Sequence, residues 1–372
     1  MKKRTLSIIL ILCMMLTMLP VTALAASDTS CDGGESCKHE AAIGNTHYDT
    51  LSEAIEAAKS GEEVDLLKDV DVSTTGLQIG SDITLDLNGH AIKAASTENG
   101  KIKISGNVTL QDDTDTNKDG SGKGKIYTET KYTGSATGHA MVEVLPGGSL
   151  VMESGYLDAA SFTNDPANEG QFAIGVTGGD KGASVTMNGG KVEAGWYAIS
   201  GNGSKLEEDT TVVVNGGELI SVADYAIYQP QLGSVEIKGG VVYGAAGGVA
   251  MNRGNLIVSG GVITSKGQGD TGDWGDGTGG LDNAAVNVSA KYDDVAVTIS
   301  GGEFVAAGDA VTIEKGSTHT AEIAISGGTF SSDVSEYITA DSGITKNEDG
   351  KWVVAPLGQQ NAAAEANNTY YK

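Results

Sequence analysis

Positive charge is what this chain most lacks. Lys and Arg together number 24 against 49 Asp and Glu, a formal net charge of −25 at neutral pH. So acidic a surface repels phosphate backbones and anionic lipid, which excludes nucleic acid as a partner. Polyanionic glycans would also be repelled unless a divalent cation bridged them. Beyond residue 25 arginine occurs once, at Arg253. Aromatic residues make up only 5% of the chain, which suits a narrow interior filled by aliphatic side chains. Long apolar runs are missing after the first residues, so no later segment is suited to spanning a bilayer.

The first residues read as an export signal. Lys2, Lys3 and Arg4 form a basic start, Leu6–Leu19 an apolar run, and Ala23–Ala25 a small-residue cleavage site. Removing residues 1–25 takes Lys plus Arg from 24 to 21 and moves the formal charge from −25 to −28. The expected product is a secreted or cell-surface chain, monomeric and with no membrane span.

Cysteine is scarce as well, and only Cys31 and Cys37 remain beyond the signal. Two nearby cysteines in an exported chain predict one local Cys31–Cys37 disulfide. A second reading makes them metal ligands together with His39 and His47, although the spacing follows no standard zinc pattern.

Against these absences stands a recurring phrase. VTMNGG at 185–190 returns as VVVNGG at 212–217, VEIKGG at 235–240, LIVSGG at 256–261, VTISGG at 297–302 and IAISGG at 323–328. A degenerate copy, LVMESG, occupies 150–155. Apolar and polar residues alternate in each copy and then break at glycine, the pattern of a strand that ends in a bend. The first glycines of successive pairs are 27, 23, 21, 41 and 26 residues apart, so most intervals suit one solenoid coil and one carries an insertion. A second strand per coil begins near Phe172, Tyr197, Tyr225, Gly248, Ala285 and Ala310. Together these predict an all-β chain: a right-handed parallel β-helix of about nine coils. Tyr197 and Tyr225 hold matching positions in consecutive coils and are expected to form a packing ladder.

The segment before the coils reads differently. Leu51, Ala54, Ile55 and Ala58 share one helical face, Thr50 and Glu53 sit at capping-box spacing, and Gly61 supplies a stop. A short α-helix here caps the first coil against edge-to-edge pairing. The organisation is therefore a signal at 1–25, a cysteine-containing lead at 26–47, a capped β-helix at 48–355 and a flexible tail at 356–372.

Two segments leave the rhythm, and recognition is expected there. In the first, Asp115, Asn117 and Asp119 present oxygens at alternate positions ahead of a glycine, as in the first half of an EF-type loop, with Asp113 as a further candidate ligand. Ile126 stands where the closing bidentate Glu belongs, so the expectation is a weak calcium site, the only cofactor suggested. In the second, Trp274 lies among Asp270, Asp273 and Asp276, a ring that can stack on a sugar beside carboxylates that accept its hydroxyls. Enzymatic features are sparse. Arg253 reads as a solvated loop residue rather than a lyase base, and Asp293–Asp294 reads as a turn rather than a hydrolase pair.

The Cys-x5-Cys-x-His lead, the LSEAIEAA cap at 51–58, ITLDLNG at 83–89 and the ISGGxF units at 299–304 and 325–330 carry a resemblance. Over about residues 40–355 the chain resembles pectate-lyase-like right-handed β-helix proteins of Gram-positive, often gut-dwelling, bacteria. The resemblance implies a module of a larger surface or adhesin-like protein. The expected function is non-catalytic adhesion or binding of host or environmental glycans and glycoproteins. The alternatives are a polysaccharide lyase or glycoside hydrolase, and a passive stalk.

Overall fold

The computed structural model describes residues 37–129, 140–160, 171–201, 209–267, 283–291, 293–314 and 317–358. The expected signal, Cys31, the loop with Asp270, Asp273, Trp274 and Asp276, and residues 359–372 lie outside the described residues.

The coils stack their strands into three sheets, and the whole is a right-handed parallel β-helix. The first sheet has ten parallel strands, from Glu62–Leu66 to Ala321–Ile325, and the second has ten, from Val70–Asp71 to Gly328–Phe330. The third has nine, from Leu77–Ile79 to Val311–Ile313. Among the described residues there are thus ten rungs, where the repeat predicts about nine.

Alternation along each strand sets what points inward. In the first sheet Val64, Leu85, Leu110, Met152, Met187 and Val214 stand directly above one another, and Ile237, Val258, Ile299 and Ile325 continue the column. All are buried. Stacking like on like closes the interior without bulky side chains, and each fully buried aliphatic contributes about 1.5–3 kcal/mol.

The Gly-Gly phrase marks the bend between the first and second sheets, and its two glycines serve different needs. A Cβ at Gly216 would lie 2.6 Å from the carbonyl oxygen of Asn188 in the coil below. Gly217 instead has φ of +78°, where any side chain is strained. The first glycine provides clearance and the second provides the turn.

Both ends of the stack carry antiparallel strands, which the repeat does not predict. At the N-terminus Ala41–Ile43 pairs with Thr46–Tyr48, and Ala41 pairs antiparallel with Leu66 of the first coil. Helix α1, Leu51–Ala57, follows with the expected capping box: Glu53 N donates to Thr50 Oγ1 at 3.2 Å and Thr50 N to Glu53 Oε2 at 3.1 Å. Its Leu51, Ala54 and Ile55 are buried against the first coil. At the other end Ser342–Lys346 and Trp352–Pro356 form a hairpin whose Trp352 lies across from Phe330 of the last rung. Among the described residues no helix is long and apolar enough to cross a membrane.

A second apolar cluster sits apart from this core. Trp196, Tyr197, Tyr225, Ala246 and Ala250 form it, with Phe172 and Tyr228 packed alongside. Tyr197 stacks on Trp196 at 4.6 Å and on Tyr228 at 4.9 Å. Tyr197 and Tyr225 therefore do share one cluster, but the rings stacked on Tyr197 belong to Trp196 and Tyr228.

Candidate functional site

The residue immediately before each bend cannot enter the core, because its neighbour on the strand already does. The strand registers place these residues in one outward row: Asp65, Asp86, Gln111, Glu153, Asn188, Asn215, Lys238, Ser259, Ser300 and Ser326. The row is acidic at its N-terminal end, amide-bearing in the middle and hydroxyl-bearing at the end. Its members bond along the stack. Asn215 Nδ2 donates to Asn188 Oδ1 at 2.8 Å, and Asn188 Nδ2 donates to Glu153 Oε1 at 2.7 Å.

At the acidic end the row thickens into a cluster. Ligand oxygens of Glu63, Asp65 and Asp86 all lie within 4.8 Å of one another. The Gln111 amide reaches Glu63, Asp86 and Asp113 at 3.2–3.3 Å. Crowding shows in the titration of these groups. Burial, and then Asp65, Asp86 and Asp113, push Glu63 above the usual carboxylate range. Burial and Asp86 do the same to Asp65, and Asp86 is the main cause for Asp113. Like charges at this spacing favour a bound proton, a cation or donated hydroxyls.

The predicted calcium half-loop is organised differently. Asp115 is buried, and its carboxylate accepts backbone N–H groups from Asp119, Gly120 and Gly155. Asp119 Oδ1 accepts from Ser121 N, and Asp113 turns toward Asp86 and Gln111. Asn117 is exposed on the same turn. The structure joins Asp113 to the acidic cluster and commits Asp115 to holding the loop onto the coils. Buried Asp112 has a similar duty, accepting from Gly89 N and Gly124 N. The register of distant strands brings Asp113 and Asp65 together, and no local motif announces that.

Arg253 is buried, where the sequence suggests a solvated loop, and its Nη2 pairs with Asp293 Oδ2 at 3.1 Å. The Asp294 N–H and Arg253 together hold Asp293 below its ordinary range. Asp293 is thus a counter-ion, and Asp294 Oδ1 accepts Thr320 N in the next coil. Cys37 is a buried free thiol, so the expected Cys31–Cys37 disulfide is not among the bonds of the described residues. Its expected partner Cys31 lies outside the described residues, and Cys37 Sγ stands 3.7 Å from His39 Nδ1.

Comparison with family models, with curated proteins and with solved structures finds no match for this chain.

Proposed function

We propose that this chain is an exported cell-surface rod that binds host or environmental glycans or glycoproteins without catalysing their turnover. The observation that carries the reading is the outward row, carboxylates, amides and hydroxyls with Lys238 among them, running along one edge of the stack. A solenoid repeats its binding groups at about 4.8 Å per coil, which suits an extended, repetitive ligand. Sugar hydroxyls are donors that carboxylates accept, and calcium held at Glu63, Asp65 and Asp86 would allow acidic sugars to approach. The lyase alternative is weakened because the sole arginine beyond residue 25 is engaged by Asp293.

A glycan array and a panel of neutral and acidic polysaccharides, each with and without calcium, test the reading. Binding is expected, and it should fall at least tenfold in a Glu63→Gln/Asp113→Asn double variant whose melting temperature is not lowered. Release of unsaturated or reducing ends would replace the reading with an enzyme. A silent array and panel would leave the stalk.

A further inference from the structure

The geometry points to a zinc site at the N-terminal cap, formed by Cys37, His39 and His47, which ties the chain's entry segment to the first rung. One potential ligand atom from each residue lies within 4.8 Å of the other two. In a tetrahedral zinc centre, with Zn–S about 2.3 Å and Zn–N about 2.0–2.1 Å, sulfur and nitrogen ligands stand about 3.5 Å apart. Cys37 Sγ and His39 Nδ1 are 3.7 Å apart, so an ion fits with little movement. The His39 and His47 rings meet edge to face with centroids 5.4 Å apart.

Two further observations point to a cation. His47 Nδ1 is buried with no hydrogen-bond partner among the described residues, and leaving a buried ring nitrogen unsatisfied is costly. His39 Nε2 lies 3.5 Å from Asp49 Oδ1, so the ring can ligate through Nδ1 while its other N–H faces a carboxylate. That relay orients metal-bound histidines and raises their basicity. One thiolate and two imidazoles, with no oxygen ligand clustered with them among the described residues, favour zinc over calcium or magnesium. The described residues supply three ligands, so solvent would take the fourth tetrahedral position.

The consequence is mechanical. His47 lies on the hairpin strand opposite Ala42, and that hairpin pairs with the first coil through Ala41 and Leu66. A metal joining Cys37 and His39 to His47 would close the hairpin at its open end, and its binding energy would add to the stability of the cap.

The test uses the purified chain under reducing conditions, titrated with zinc alone and with cobalt(II) as a spectroscopic probe. The expected result is one metal per chain and a tetrahedral cobalt spectrum with a thiolate charge-transfer band. Cys37→Ser should lose both zinc and that band while keeping its β-sheet circular dichroism, and Cys31→Ser should keep both. Asp49→Asn should weaken zinc about 10–100-fold. Zinc should slow amide exchange at 41–48 and leave the later coils unchanged. The inference is overturned if Cys37→Ser retains zinc, if Cys31→Ser alone loses it, or if reduced wild type takes up none. A Cys31–Cys37 disulfide mapped in zinc-free chain recovered from the exported fraction would overturn it too.

Discussion

Single residues in this molecule are constrained mainly by what lies one coil above and below. Gly217 has φ of +78° and its missing Cβ would meet Met187 Cε at 2.6 Å. Gly217→Ala should therefore cost about 1–2 kcal/mol in backbone strain, with the clash in addition, read as a lowered melting temperature. Gly216→Ala should also destabilise, through contact with the Asn188 carbonyl rather than through φ. Charge acts across the same spacing. Asp65 faces Asp86 on the next strand and its folded pKa is raised, so a proton on it favours the native state. Its repulsion is felt above that raised pKa and relieved as pH falls through it. Asp65→Asn should then stabilise the chain by about 0.2–1 kcal/mol at pH 7 and have no effect in acid below the carboxylate range. Glu98 behaves oppositely. Hydrogen bonds from Lys101 and Lys103 lower it from 4.5 to about 2. Its contribution is present above 4.5 and lost as pH falls toward about 2. Glu98→Gln should lower the melting temperature at pH 7 and change nothing below pH 2.

Among the elements, α1 shows how a short helix can matter more than its length suggests. Seven residues do not make a stable helix alone, so its stability comes from Leu51 and Ile55 buried on the first coil. Ile55→Ala should cost about 2–5 kcal/mol, and Thr50→Ala about 1 kcal/mol through the lost cap, both measured by thermal unfolding. Ile55→Ala should also aggregate on heating before the core melts, because the first strand's edge loses its cover. The helix was legible because Thr50, Glu53 and the apolar stripe are local signals. The two end hairpins were not. Ala41–Ile43 and Thr46–Tyr48 are three residues each, too short to display alternation, and their partner Leu66 lies beyond the helix. The outward row was half legible: the residue before Gly-Gly is obvious in each copy, but its continuation to Asp65 and Asp86 needs the strand register.

For the whole molecule, stability is spread along the stack, since each rung touches chiefly its neighbours. Deleting Gly239–Ser259, one coil of 21 residues, joins Lys238 to Gly260 and keeps every column in phase. That variant should fold with unchanged β-sheet circular dichroism and a modestly lower melting temperature. Deleting one residue fewer should be far worse, because a slip of one turns the inward column outward.

By itself the sequence determined the coil. Period-two alternation, glycine at each bend and aliphatic residues at matching positions each recur within one repeat, and they leave a parallel stack as the way to bury the apolar face. The three-dimensional packing decided which groups meet. Cys37 stands beside His39, Arg253 is buried against Asp293, and Asp113 meets Asp86 across the coils. The reason is the translation of one coil onto the next. It sets residues some twenty or more positions apart side by side at about 4.8 Å, a distance that spacing along the chain does not encode.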